Sequence, residues 1–400
     1  MVLATLGIGA AVVGAAQFGQ RERAAAMRTS SATVTSRVTP TDIGGPIRAT
    51  LSAASVRVSG ASFVAIAGAV DSGEKTLSPL RVIRVSQSGA HEEMSSPPMR
   101  PDSTVAMARL DDAPCLSFES RGSPVVTCLR EGVWQELRFS ARQRLLGISP
   151  ADRCWSTICV VSTTRSPAKQ RIRRILRWAE TGWEPVRPSL PPLAQSVVML
   201  GSSATDAADV GAPLVGMVQG PRPARRRVLT LRNGSWRDAA VPHSGDFGPL
   251  VAGPLVSGRA IYMTTSDFTR EPWRFGILRW EFGGRARKAH LSRGFGNAQG
   301  EPSVVAGRLW VGWSEERRRP DSLRDIEYWV ARLDPLTLRT LEKRRLWTGT
   351  TVLPFNVRVS DINGRPHALW VKSTWRNGRP TARVDRDLTT AAMLEPLDDR

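Results

Sequence analysis

The chain has 400 residues, 41% of them hydrophobic, with 34 glycines, 28 prolines and a formal net charge of +20 at pH 7. Moderate apolar content, many turn formers and few long helical patterns describe a soluble globular chain of strands, long enough to bury its core without metal or dense crosslinking. So large a positive excess directs attention to anionic partners, and where the charge falls matters more than its total.

The first element is the uncharged run Val2–Phe18, rich in Ala, Val and Gly. It reads as the apolar part of a secretion signal or a short membrane anchor within residues 1–28, with Gly14 and Ala16 suited to cleavage before Gln17. No basic segment precedes the run, Arg21, Arg23 and Arg28 follow it, and no lipobox cysteine accompanies it. The Ser/Thr-rich stretch 29–41 reads as a flexible linker, and 42–400 as one domain.

Within that domain a unit of about fifty residues recurs. Its clearest copy is Ser303–Trp313, a charged loop, Ile326–Leu333 and the turn Asp334-Pro335. The second apolar runs of successive units are Ser62–Ala67, Cys115–Glu119, Ile158–Ser162, Leu214–Gln219, Ala260–Thr265, Leu309–Trp313 and Ala368–Lys372. The third runs are Leu80–Val85, Val125–Leu129, Ile172–Trp178, Arg227–Leu231, Phe275–Trp280, Ile326–Leu333 and Thr381–Val384. Turns follow at Ser88-Gly89, Glu131-Gly132, Thr181-Gly182, Asn233-Gly234, Gly283-Gly284, Asp334-Pro335 and, less clearly, Asp385 to Asp387.

A four-strand unit with the same loop chemistry at the same place is the pattern of propeller blades rather than of a sandwich. The expected fold is therefore all-β, a seven-bladed β-propeller of four-stranded antiparallel blades. Six blades is the alternative, because the first and last units are the least regular. Trp134, Trp183 and Trp236, each just after a Gly turn, are expected to begin outermost strands and to pack between neighbouring sheets. A strand from Ile43–Leu51 or Ala391–Leu397 is expected to close the ring, since an open ring leaves two unpaired edges.

The chain has four cysteines. Cys115 and Cys128 are equidistant from the loop centre Arg121-Gly122, so a hairpin sets them opposite one another, and Cys154 and Cys159 flank a short turn. Two local pairs point to disulfides and an oxidising compartment, outside the cytoplasm. The rival readings are four inert thiols and a zinc site. For zinc there is no Cys-x-x-Cys spacing, and no metal or other cofactor is expected.

Basic residues gather in the loops between second and third strands, which project from one face of a propeller. They are Arg165, Lys169, Arg171, Arg173 and Arg174, then Arg222, Arg225, Arg226 and Arg227, then Arg317, Arg318 and Arg319, and Arg376. A basic crown of this kind would bind an anionic polysaccharide, lipid headgroups or an envelope protein. Solvated arginines of an Arg-rich composition are the plainer alternative. Export and the lack of an aromatic-interleaved basic motif count against nucleic acid.

Residues Glu301–Glu315 followed by Ile326–Asp334, and the Gly-x-Trp turns Gly132-Val-Trp134 and Gly234-Ser-Trp236, resemble blades of the sialidase-like (BNR-type) propeller superfamily. That family's Ser-x-Asp-x-Gly-x-x-Trp box has no intact copy, Leu231–Trp236 keeping only the Gly and Trp, and Pro46-Ile-Arg48 is a poor match to its Arg-Ile-Pro signature. The resemblance implies a glycoside hydrolase site at the central mouth, with an arginine cluster, a tyrosine nucleophile, a glutamate and an aspartate. The two tyrosines, Tyr262 and Tyr328, fall inside a second and a third strand, away from the axis.

His91, His243, His290 and His367 are placed in or beside loops of four blades, with His243 close to Asp246, and Asp102, Asp152, Asp246 and Asp361 lie on or near first strands. No Gly-rich phosphate loop, Gly-x-Ser-x-Gly elbow or His-Glu-x-x-His helix is present. The expectation is an exported binding or scaffold module, a monomer, with a divergent glycan-active hydrolase or lyase as the alternative.

Overall fold

Strand after strand in this chain is short and bounded by a two-residue turn that only a few residue types tolerate. Arg121-Gly122, Glu131-Gly132, Ala306-Gly307 and Asn363-Gly364 all take positive φ at both positions, the backbone of the primed turns that match the twist of a tight hairpin. The computed structural model describes residues 40–47, 50–68, 80–98, 101, 105–140, 143, 145–148, 152–154, 157–165, 171–190, 196–199, 214–219, 225–232, 235–240, 255–257, 260–267, 274–281, 284–293, 298–318, 324–351, 357–375 and 388–397. The predicted export segment 1–28 and residues 29–39 of the predicted linker 29–41 lie outside them, while Thr41, the linker's last residue, begins a strand.

Among the described residues there is no α-helix, and the strands form seven antiparallel sheets. After β1 (Thr41–Ile47), the first sheet is β2 (Thr50–Val58), β3 (Ala61–Gly68), β4 (Leu80–Ser86) and β5 (His91–Met94). The second is β6 (Ala106–Leu110), β7 (Ala113–Ser120), β8 (Ser123–Arg130) and β9 (Val133–Glu136). In the third, β10 (Leu145–Ile148) and β11 (Asp152–Cys154) both pair with β12 (Thr157–Arg165) as one interrupted edge, followed by β13 (Arg171–Ala179) and β14 (Gly182–Pro185). The fourth is β15 (Ser196–Met199), β16 (Leu214–Gln219), β17 (Arg225–Arg232) and β18 (Ser235–Ala240). The fifth is β19 (Leu255–Ser257), β20 (Ala260–Asp267), β21 (Arg274–Glu281) and β22 (Ala286–Arg293). The sixth is β23 (Ala298–Val305), β24 (Arg308–Arg318), β25 (Arg324–Leu333) and β26 (Thr340–Thr351).

The seventh sheet departs from the pattern. Its order is β27 (Arg358–Ile362), β28 (Arg365–Trp375), β29 (Leu388–Pro396) and then β1, from the other end of the chain. Thr41 pairs with Leu394 and Ile47 with Thr390, so both stretches named for closure contribute, one as the third strand and one as the fourth. The third strand expected at Thr381–Val384 is corrected to Leu388–Pro396. Thr381–Val384 and the turn expected at Asp385 to Asp387 lie outside the described residues.

Packing follows from the period of two. On β3, Phe63, Ala65 and Ala67 enter a core with Leu116 and Phe118 of the second sheet, while Val64 and Ile66 enter one with Val359 and Leu369 of the seventh. On β12, Ile158 and Val160 face the second sheet, and Cys159 and Val161 face the fourth. On β24, Leu309, Val311 and Trp313 face the fifth sheet and Trp310 the seventh. A middle strand buried on both faces is a near-continuous apolar run, and each fully buried Val, Leu or Ile contributes about 1.5–3 kcal/mol. The outermost strands β5 and β9 are largely exposed. This face-to-face stacking of up-and-down sheets on their neighbours in chain order is β-propeller packing.

The three tryptophans tie sheet to sheet. Trp134 Nε1 donates to Ser95 O at 2.6 Å, Trp183 Nε1 to Leu137 O at 2.9 Å and Trp236 Nε1 to Pro188 O at 2.8 Å, each to backbone just beyond the outermost strand of the preceding sheet. Gly312 marks another close approach, since a β-carbon there would lie 2.6 Å from Val357 O. Cys115 and Cys128 are direct cross-strand partners on β7 and β8, and they form a disulfide, as do Cys154 and Cys159 across the β11–β12 turn.

Candidate functional site

In an up-and-down sheet the hairpins joining second to third strands all leave from one end. Three of them carry the expected basic residues at their tips. Arg165 stands directly across from Arg171, Thr163 from Arg173 and Ser162 from Arg174. Gln219 pairs with Arg225, Val218 with Arg226 and Met217 with Arg227, and Arg318 pairs with Arg324 beside Arg317 and Asp325. Arg165, Arg174 and Arg317 are exposed and Arg173 is half-buried. Arg171, Arg225, Arg226, Arg227 and Arg318 enter here through backbone register alone. Lys169, Arg222, Arg319 and Arg376 lie outside the described residues.

Near the same end, between the fifth and sixth sheets, a cavity of about 370 Å³ is lined by His290, Ser292, Glu315, Glu327, Trp329 and Lys343. Strict alternation builds it. Trp313 and Glu315 share one face of β24, Trp329 and Glu327 share the matching face of β25, and the register sets Trp313 against Trp329 and Glu315 against Glu327. The two indoles stack with centroids 6.2 Å apart and planes 13° from parallel. Trp313 Nε1 donates to Glu315 Oε1 at 2.7 Å, Trp329 Nε1 to Glu327 Oε2 at 3.1 Å, and Arg345 Nη1 to Glu327 Oε1 at 3.3 Å.

Lys343 Nζ caps this arrangement, 4.4 Å from the Trp329 ring centroid and 5.2 Å from that of Trp313, and donates to Leu291 O at 3.0 Å. Burial holds its pKa below the ordinary lysine value, against the opposing pull of Glu315 and Glu327. The cluster was missed in the sequence. Its signal is there in Trp-x-Glu of β24 facing Glu-x-Trp of β25, but reading it requires the exact register.

Among the described residues, both tyrosines that a sialidase-type site could use are engaged away from the inner strands. Tyr262 O–H donates to Pro335 O at 3.0 Å between the fifth and sixth sheets, and burial raises its pKa. Tyr328 is fully buried against Trp347 and Trp370. On the inner strands, Arg358 Nη2 donates to Glu301 Oε1 at 2.9 Å and Nη1 to Ala53 O at 2.8 Å, tying β27 to β23 and to β2. Asp361 accepts from Gly364 N at 2.6 Å and pairs with Arg57 at 3.5 Å, so it caps a turn. Asp102 and Asp246 lie outside the described residues, and Asp152 lies on β11. Among the described residues no group of three or more His, Cys, Asp and Glu is placed to hold a metal ion.

Of the histidines placed in or beside loops, His91 begins β5 next to the β4–β5 turn, His367 lies on β28 near its start, and His290 lies within β22. His243 lies outside the described residues. His91 and His367, from opposite ends of the chain, line one cavity at the junction of the first and seventh sheets. The two disulfides accord with an extracellular or periplasmic location. Among the described residues no helix is long and apolar enough to cross a membrane.

No family model matches this chain, and no curated protein does. Among solved structures, the endosialidase of phage phi92 is similar with a TM-score of 0.50 at 11% identity, over 91% of this chain and 70% of that one. A neuraminidase-like protein of A/flat-faced bat/Peru gives a TM-score of 0.44 at 10% identity, over 78% of this chain and 98% of that one. A catalytically inactive virginiamycin B lyase from Staphylococcus aureus gives 0.45 at 11% identity, over 90% of this chain and 99% of that one. Identities this low speak to fold alone, and what the chain shares with the phage protein is the β-propeller architecture.

Proposed function

We propose that this chain is an exported, seven-bladed β-propeller that works as a binding or scaffold module. It engages an anionic envelope ligand, acidic polysaccharide or lipid headgroups, or an acidic envelope protein, through the end that carries the second-to-third hairpins. The observation that carries this reading is like-charge pairing at the tips: Arg165 lies directly across from Arg171, and Arg318 from Arg324. Like charges directly opposite one another destabilise a hairpin. An anion laid across the tips turns that repulsion into charge-assisted hydrogen bonds. Seven sheets, the last assembled from both ends of the chain, support the blade count, and the disulfides support export. Descent from sialidase-like propellers rests on fold likeness and the Gly-x-Trp turns.

The test is retention of the full chain on heparin and on phosphatidylglycerol vesicles at rising salt. Steep release with salt is expected, and Arg165→Glu, Arg174→Glu and Arg317→Glu together weaken binding by about tenfold or more. Retention indifferent to salt and to these reversals would sink the crown.

A second reading, a glycan-active hydrolase, is favoured by one observation. Glu315 and Glu327 are direct cross-strand partners that line one cavity, the paired carboxylates glycoside hydrolysis uses. Both carboxylates already accept indole N–H bonds, however, and Lys343 covers Trp329. This reading requires turnover of a fluorogenic glycoside that Glu315→Gln and Glu327→Gln each abolish.

A further inference from the structure

We propose that the cleft where the first and seventh sheets meet is a second ligand site, which takes a molecule carrying a phosphate-type oxyanion. The cavity measures about 420 Å³, within the range of small-molecule sites. Its walls come from the β4–β5 turn, the β27–β28 turn, the start of β1 and the end of β29. First-to-second and third-to-fourth turns share one end of a propeller, so this site lies on the end opposite the basic hairpin tips and is independent of them.

The chemistry of the lining is one-sided. Arg365, His91 and His367 line the cavity with Thr41 and with Ser88, whose hydroxyl lies 2.8 Å from that of Ser86, and among the described residues no acidic side chain lines it. Carboxylates nearby are engaged elsewhere: Asp361 with Arg57, Glu92 with Arg84, Glu93 with Arg81, and Glu395 with Arg344. Arg365 offers a planar guanidinium and His91 an imidazole N–H to oxyanion oxygens, while His367 Nδ1 donates to Arg365 O at 3.2 Å and its Nε2 becomes a donor to the ligand in the protonated ring. Val85, Ile362 and Leu394 are buried at the back of the cavity, which gives the body of a ligand an apolar wall.

The walls are also held in place before any ligand arrives. Asn363 Nδ2 donates to Ser86 O and Val85 O, and Asn363 N donates to Ser62 Oγ at 3.0 Å, so the turn of the seventh sheet is pinned onto the first. Pre-formed walls lower the ordering cost of binding. Because Thr41 of β1 and His91 of β5 line the cavity together with Arg365 and His367 of β28, a bound oxyanion bridges the seventh sheet and the sheet beside it. It therefore stabilises the closed ring by mass action.

The test uses the full chain and inorganic phosphate, titrated at constant ionic strength against chloride. The chain has four histidines, so their ring proton signals are few enough to follow, and His91→Gln and His367→Gln assign two of them. Saturable movement of those two signals, with a rise in unfolding temperature, is the expected result. Arg365→Gln should weaken phosphate at least tenfold while leaving the phosphate-free unfolding temperature unchanged. Phosphatidic acid vesicles form the second arm: Arg365-dependent binding to vesicles but not to free phosphate assigns the oxyanion to a lipid headgroup. The proposal is overturned if neither probe binds, if phosphate moves other histidine signals instead, or if binding to both probes survives Arg365→Gln.

Discussion

Arg344 on β26 and Glu395 on β29 form an ion pair of 3.0 Å with side chains only 7% and 3% exposed, joining the sixth sheet to the seventh through two charges taken almost wholly out of water. Arg344 also donates to Pro396 O at 3.4 Å. Removing one partner of such a pair strands the other. Glu395→Ala is expected to cost about 3–5 kcal/mol, read as a fall in the urea midpoint, whereas the double change Arg344→Met with Glu395→Leu is expected to be near neutral or stabilising.

Removing β1 leaves the edge of β29 without a partner along its length. A chain of residues 48–400 is expected to lose more than about 4 kcal/mol, a cost that marks a named structural break rather than a surface change. The freed edge is also expected to drive concentration-dependent association, visible in size-exclusion chromatography. An unfolding midpoint equal to that of the intact chain would show that the seventh sheet stands on three strands.

The disulfide Cys115–Cys128 closes a loop with a sequence separation of 13. Loops of that length are stabilised by about 3 kcal/mol through restriction of the unfolded chain. Cys115→Ser with Cys128→Ser should lower stability by that order and remove most of the sensitivity to reductant. Loss of Cys154–Cys159, with a separation of only 5, should cost less. Equal effects from the two pairs would count against the loop-length argument.

Lys343 gives a pH signature. Its folded-state pKa is lowered by burial, so the unfolded chain holds that proton more tightly and stability rises with pH between the folded value and the ordinary lysine value of 10.5. Below the folded value the burial penalty is present in full. The wild type should therefore gain on Lys343→Met as the solution is taken from neutral pH toward about 10.5. Parallel stability curves for the two proteins would contradict the assignment.

Much of the architecture was legible before any coordinates. The runs Ser62–Ala67, Cys115–Glu119 and Leu309–Trp313 each lie within the second strand of a sheet, and Ser88-Gly89 and Glu131-Gly132 each form the turn between third and fourth strands. The Gly-x-Trp tryptophans begin outermost strands, as their position after the turn implied. The seventh unit was misread at Thr381–Val384 because its third strand is completed by β1 and no turn follows it. Without that punctuation, periodicity alone could not locate Leu388–Pro396. For the candidate sites, the basic loops were readable because a hairpin tip is a local feature. Glu315 facing Glu327 was not, because one residue of slip in the β24–β25 register would separate them.

Alternation, turn chemistry and the symmetric placing of Cys115 and Cys128 act over a few residues, so the amino-acid order alone determined the strands, the hairpins and the crosslink between β7 and β8. Contacts between sheets obey no such local rule. The pairing of Thr41 with Leu394, the burial of Arg344 against Glu395 and the meeting of His91 with His367 in one cleft join segments far apart in the chain. Each exists because whole sheets stack on their neighbours, a condition set by packing between sheets and written in no single stretch of sequence.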